Sequence, residues 1–194
     1  MAYDATPWGY DVDGVVPPLL DACLFHAMTG FRFTDDERIQ AAIDGVTARV
    51  RAHCGWHISG SLKCRATLDG GETSVWLPST HVTDVTKVSV CGTDVTDSCE
   101  WSRRGLLRLP HSPDRLGAVV VEFDSGLSEP PAELLALVVD RVTNAVSMPF
   151  GVQQETAGSV SVSYAYSAIA GQGVSGLPAT DRATLSSYRL EEVR

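Results

Sequence analysis

The chain has 194 residues, 44% of them hydrophobic and 20% charged, the make-up of an ordinary folded protein with length enough for a sizeable core. No apolar run reaches the roughly 18–20 residues that cross a bilayer, and MAYDATPWGYDVDGVV carries acids where a secretory signal would carry bases, so neither a membrane span nor export is expected. Net charge is −9; residues 1–37 hold seven acids against Arg32, or −6, which leaves −3 for the rest, and no basic cluster exceeds Arg103-Arg104, so sequence-specific nucleic-acid binding is not supported.

The first helix is predicted over about 17–29 in VPPLLDACLFHAMTG, with prolines in its first turn and Gly30 as a stop. A second spans about 34–54. Thr34-Asp35-Asp36-Glu37 reads as a capping box, and Ile39, Ile43, Val46 and Val50 follow at i, i+4, i+7 and i+11 on one face. From about 62 to 124 the period changes to two. CRATL and TSVWL flank Asp69-Gly70-Gly71, a hairpin signal. VTKVSV and a short strand ending at Trp101 flank a turn at 91–94, LLRL follows the Arg103-Arg104-Gly105 turn, and AVVVEF closes an antiparallel meander of five or six strands. A third helix, about 130–147, opens on Pro130-Pro131 and is apolar over more than half its circumference. That breadth predicts a central helix with Leu137 and Val138 in the core. The fold class is therefore α+β: a helical core with a β insertion over 1–149, then a C-terminal arm and short terminal helix over 150–194.

Several motifs suggest chemistry without supporting it. GQGVSG (171–176) spells G-x-G-x-x-G, but Leu177-Pro178 follows where a nucleotide-binding helix should start, so a link is the better reading. His53, Cys54, His57 and Cys64 lack the spacing of a structural zinc site, and DVDG (11–14) has Ala22 where a calcium loop would need glutamate. There is no G-x-S-x-G. The five cysteines are odd in number and irregularly spaced, which points to reduced, mostly buried thiols, with a Cys91–Cys99 disulfide as the minority alternative. No enzyme, metal or cofactor is expected from these residues.

The arm raises a different question. In FGVQQETAGSVSVSYAYS the second half alternates, with Val160, Val162, Tyr164 and Tyr166 on one face, yet no obvious partner strand follows. An unpaired strand pairs with another chain, and a contact repeated head to tail around an axis closes into a ring.

The order of parts resembles the head–tail connector (head-completion, or head-to-tail adaptor) proteins of tailed double-stranded DNA bacteriophages. The resemblance runs over about 33–190. It rests on the capped helix TDDERIQAAIDGVTARVRAHCGW, on Trp76-Leu77-Pro78 before Val85–Val90, and on Phe123-Asp124-Ser125-Gly126 leading to Leu134, with Phe123 for the usual tyrosine. It implies a non-enzymatic virion protein at the neck, made in the host cytoplasm. Such a protein forms a dodecameric ring under the portal that extends the DNA channel and gives the tail or a further neck protein its platform. The arm residues Val160, Val162, Tyr164 and Tyr166, with Leu185 and Tyr188 of the terminal segment, then become the expected contacts to portal or neighbouring copies. Asp11, Asp13, Asp35 and Asp36 become candidate channel-facing acids past which double-stranded DNA slides without sequence-specific binding; the alternative for them is a solvated outer face. The rival functions are another phage neck or tail-terminator protein, or a small cytoplasmic enzyme with an unrecognised active site.

Overall fold

The computed structural model describes residues 3–147, 154–157, 160–163 and 177–190. The fold is α+β, with helices and antiparallel sheets, as the periodicities predict. The chain divides into two compact units. One comprises Met1–Pro17, Cys54–Pro130 and Tyr188–Arg194; the other comprises Pro18–His53 and Pro131–Ser187.

The first unit holds the β structure. Its strands are β1 (Asp4–Ala5), β2 (Tyr10–Asp13), β3 (Leu62–Leu68), β4 (Ser74–Trp76), β5 (Val82–Val90), β6 (Thr93–Asp94), β7 (Glu100–Trp101), β8 (Leu106–Arg108) and β9 (Val119–Ser125). Six of them form one sheet in the order β1-β2-β3-β9-β5-β6, and β4-β8-β7 form a second. Alternation selects the buried face: Tyr10 and Val12, Cys64 and Ala66, Val119, Val121 and Phe123, and Val82, Val85, Val88 and Val90 all point inward. The opposite face is a lattice of charge. Asp11 lies opposite Arg65, Asp13 opposite Lys63, Lys63 opposite Asp124, and Arg65 and Lys87 both opposite Glu122. Opposite charges on directly paired strand positions stabilise a sheet by about 0.2–1 kcal/mol each.

One sequence expectation fails here. The Asp69-Gly70-Gly71 turn does not join a hairpin, because β3 and β4 lie in different sheets. Seven-residue β3 takes full-length partners in β9, residue for residue from Leu62↔Ser125 to Leu68↔Val119, whereas β4 offers three residues and pairs with β8. A strand that was not anticipated also joins the sheet: Tyr-Asp-Val-Asp of β2 alternates buried Tyr10 and Val12 with half-buried Asp11 and Asp13. A turn does form at the expected place, but it is tighter and joins a different strand: Cys91 (φ 50°) and Gly92 (φ 83°) are both left-handed between the paired Val90 and Thr93, the geometry of a two-residue hairpin turn that matches strand twist, while the strand ending at Trp101 pairs with β8 in the second sheet.

The second unit holds α1 (Ala22–Thr29), α2 (Asp36–Cys54, whose last residue falls in the first unit), α3 (Ala132–Ser147), the strands β10 (Gln154–Ala157) and β11 (Val160–Ser163), and α4 (Ala179–Leu185). α1 begins later than expected, after both prolines. Asp21 caps it, its Oδ1 accepting from Leu24 N at 2.7 Å, and Gly30 stops it in the left-handed region as predicted. In α2 the cap is Asp35 rather than Thr34. Its Oδ1 accepts from Arg38 N at 3.1 Å and its carbonyl from Ile39 N at 2.9 Å, so Glu37 sits one position early for a capping box. The predicted stripe is buried in full: Ile39, Ile43, Val46 and Val50.

α3 corrects a prediction. Only Leu134, Val138, Val142 and Val146 are buried, one stripe at four-residue spacing, while Leu135, Leu137 and Val139 are half-exposed. The helix lies on the core rather than through it. Leu134→Ala should therefore cost about 2–5 kcal/mol by cavity formation, and Leu137→Ala well under half as much. Urea denaturation of the two variants checks this, and equal losses would return Leu137 to the core.

Candidate functional site

The residues that invited a catalytic or metal reading have structural work. His57 is fully buried. Its Nδ1 lies 2.7 Å from the Tyr10 hydroxyl, and its Nε2 lies 3.1 Å from both the Gly60 and the Ser125 carbonyl oxygens. Since carbonyls only accept, a ring proton belongs on Nε2, and Nδ1 shares a hydrogen bond with the Tyr10 hydroxyl. The same hydroxyl accepts the His57 backbone N–H at 3.1 Å. One imidazole thus ties β2, the 57–60 turn and the end of β9 together. Gly126, the glycine of the Phe123-Asp124-Ser125-Gly126 segment, makes this possible. Its φ is 111°, and a Cβ there would lie 2.6 Å from His57 Nε2 and far inside van der Waals contact distance of the Gly60 carbonyl oxygen.

Cys54 and Cys64 are fully buried, and burial pushes their thiols up to about 12 and about 11, the latter despite a hydrogen bond with the Ser125 hydroxyl. Cys91 and Cys99 are free thiols, and Cys99 Sγ–H donates to the Val95 carbonyl at 3.2 Å. No three His, Cys, Asp or Glu residues among those described are arranged to hold a metal ion, and no described helix is long and apolar enough to cross a membrane. Residues 171–176 lie outside the described residues. Thiol labelling of the native chain at pH 8 should modify exposed Cys23 and Cys91 and spare Cys54 and Cys64 until the chain unfolds; early labelling of either buried thiol would contradict the packing. Because the folded pKa of each exceeds the ordinary value of 9.0, the stability they contribute is complete below pH 9. It drains away as pH climbs toward 11 and 12, where the unfolded chain gains by ionising.

The four candidate channel acids are divided between the units. Asp11 and Asp13 stand on the charged sheet face, each opposite a base, and the Arg65 guanidinium also lies 5.8 Å from the centre of the Tyr3 ring. Asp35 caps α2, and Asp36 holds His26 Nε2 at 2.9 Å. All four carry local structural duties, and no single element presents them together.

The arm differs most from expectation. The alternating segment does have a mate in its own chain: β11 pairs antiparallel with β10, from Gln154↔Ser163 to Ala157↔Val160. The mate is the neighbouring segment, and QETA shows no apolar alternation that would mark it as a strand. Val160 and Val162 are strand positions of this hairpin, and Tyr164 and Tyr166 lie outside the described residues. Past the hairpin the chain returns to the body. Leu177 and Leu185 are buried, and Arg141 Nε of α3 lies 2.8 Å from Asp181 Oδ2 of α4; that N–H points off the line of contact, so charge rather than an aligned hydrogen bond holds the pair. In the first unit, Trp56 Nε1 donates to the Tyr188 carbonyl at 2.6 Å and Leu190 N to the Cys54 carbonyl at 2.9 Å. Among the described residues the region thus contains a β-hairpin over 154–163 and a terminal segment over 177–190 whose halves pack within their own units. Leu185, packed inside its own unit, is unavailable to a partner in this state.

No protein-family profile matches the chain, and neither does any curated protein. Solved structures do. A chain described as belonging to the neck of an empty GTA (gene transfer agent) particle computed with C6 symmetry superposes with a TM-score of 0.55 at 17% identity, over 95% of this chain and 97% of that one. A chain from the neck of a native GTA particle computed with C12 symmetry gives 0.51 at 15% identity, over 100% and 98%. From end to end, this chain has the fold of chains found in the necks of phage-like particles.

Proposed function

We propose that this chain is a structural neck protein of a phage-like particle. In this reading it is a head-to-tail connector whose copies close into a ring under the portal, extend the DNA channel and seat the tail or a further neck protein. The observation that carries the proposal is the fold shared over nearly the whole length of both chains with neck components of six- and twelvefold assemblies. Two features support it. The polar residues that could have made an active site are bound into the fold, as at His57. The hairpin of β10 and β11 is a two-stranded ribbon, which is marginal alone and gains from pairing with a further edge, so a portal subunit or a neighbouring copy is its natural partner. The test is to locate the chain in a reconstruction of the particle that encodes it. Density for its fold in a ring between head and tail is expected; density in the tail tube, or none in the particle, would overturn the proposal.

The acids acquire a narrower test. Asp35 and Asp36 serve α2 and α1, so the lumen assignment is best examined with Asp11→Asn and Asp13→Asn alone. If these two face the channel, losing their repulsion of the DNA phosphates should slow genome ejection at low salt and leave ring formation intact. Unchanged ejection places them on the outer face.

A further inference from the structure

Helix α1 is apolar on both sides. ACLFHAMT contains no acid, lysine or arginine. Its inner face buries Phe25, yet its outer face exposes Cys23, Leu24, Ala27 and Met28. A helix apolar all round is normally covered. Just past it Phe31 is 71% exposed and sits at φ 56°, a left-handed conformation that a bulky side chain adopts only under strain. That conformation presents the ring outward, where it stacks on His26 at 5.5 Å between centroids with the planes 9° apart. His26 in turn is held by Asp36. The rim is acidic on balance: Asp35, Asp36 and Glu37 are exposed, and of the two bases in this stretch Arg32 lies over the Phe33 ring while half-buried Arg38 donates to the Ala145 carbonyl at 3.3 Å. The result is a preset apolar knob with a negative border.

The chain carries a surface of the opposite character. The β7–β8 hairpin turns through exposed Arg103 and Arg104, with Trp101 before the turn. Trp76 pairs with Leu106 immediately after it. Trp76 and Trp101 are 45% and 38% exposed. Exposed tryptophan beside arginine is the composition of interface hot spots.

We infer that these two surfaces dock on each other between copies: the α1 face with Phe31 of one chain receives the Arg103-Arg104 hairpin of a second. Both are open to solvent within one chain, their charges are complementary, and they are different surfaces, so the contact is head-to-tail and propagates around a ring. The inference rests on the ring reading above and names the contact that would build it.

The test uses the full-length chain in sedimentation equilibrium and native mass spectrometry up to about millimolar concentration, a range that registers contacts of only about −4 kcal/mol. Met28→Glu with Phe31→Glu disables one surface; Arg103→Glu with Arg104→Glu disables the other. Each variant alone should bind itself about 30-fold or more weakly than wild type, the scale of hot-spot loss. Mixed, they should stop at a 1:1 dimer, since each retains the surface the other lacks. Phe31→Gly is the folding control: glycine suits the left-handed position, so its Tm should hold or rise while association weakens. If both double variants assemble like wild type, the α1 docking falls and the ring reading stands. A wild type that stays monomeric throughout removes the docking, while the ring reading is decided separately by the particle reconstruction. Monomeric variants that form no mixed dimer also overturn head-to-tail docking.

Discussion

Gly126→Ala should cost about 2–6 kcal/mol, a large share of the roughly 5–15 kcal/mol that holds an ordinary domain folded. Two effects add. A φ of 111° is backbone that L-residues rarely adopt, at about 1–3 kcal/mol. The new methyl group would also be driven onto His57 Nε2 and the Gly60 carbonyl, where a packed site with no room to shift adds about 1–3 kcal/mol. The control is built into the chain. Gly14 has nearly the same φ, 104°, with nothing within 4 Å of where its Cβ would stand, so Gly14→Ala should show the backbone cost alone. Thermal or urea unfolding of the two variants separates the terms. Equal losses would mean that the 57–60 turn moves away freely and that the His57 network is looser than its distances suggest.

Replacing residues 154–163 with a Gly-Ser repeat of equal length should leave the body folded and abolish joining of heads to tails. The substitution keeps the length of chain between α3 and α4 and removes only the strands. Those strands pair with each other alone among the described residues, and the anchors on either side (Val146, Leu177, Arg141 with Asp181) are untouched. Helix content by circular dichroism and Tm should stay near wild type, and complementation of particle assembly should fail. A large fall in Tm would show that the hairpin belongs to the core. Full complementation would remove it from the assembly interface.

Helices were largely legible because their signals are local. The stripe from Ile39 to Val50, the Gly30 stop and the α+β class all follow from residues within a few positions of one another. The errors among them are small and have local causes: two adjacent good caps, Thr34 and Asp35, competed for one helix start, and the side chain that reaches Arg38 N set the boundary. α3 misled for another reason. Composition reports how much of a helix is apolar, but only packing decides which stripe is covered, and Leu137 fell outside it.

Strand pairing was not legible, because a strand's partner is chosen by length, register and burial across the whole chain. β3 passes over its neighbour in sequence for β2, some fifty residues earlier, and β9, as far again beyond it. β11 does the reverse and takes the nearest segment, whose composition announces nothing. The identity of His57 as a buried tie is equally non-local, since Tyr10, Gly60 and Ser125 reach it from three separate stretches. So is the need for glycine at 126. In the sequence it is one letter of a diffuse motif; in the fold it is the position where two backbone turns and an imidazole leave no space for a Cβ.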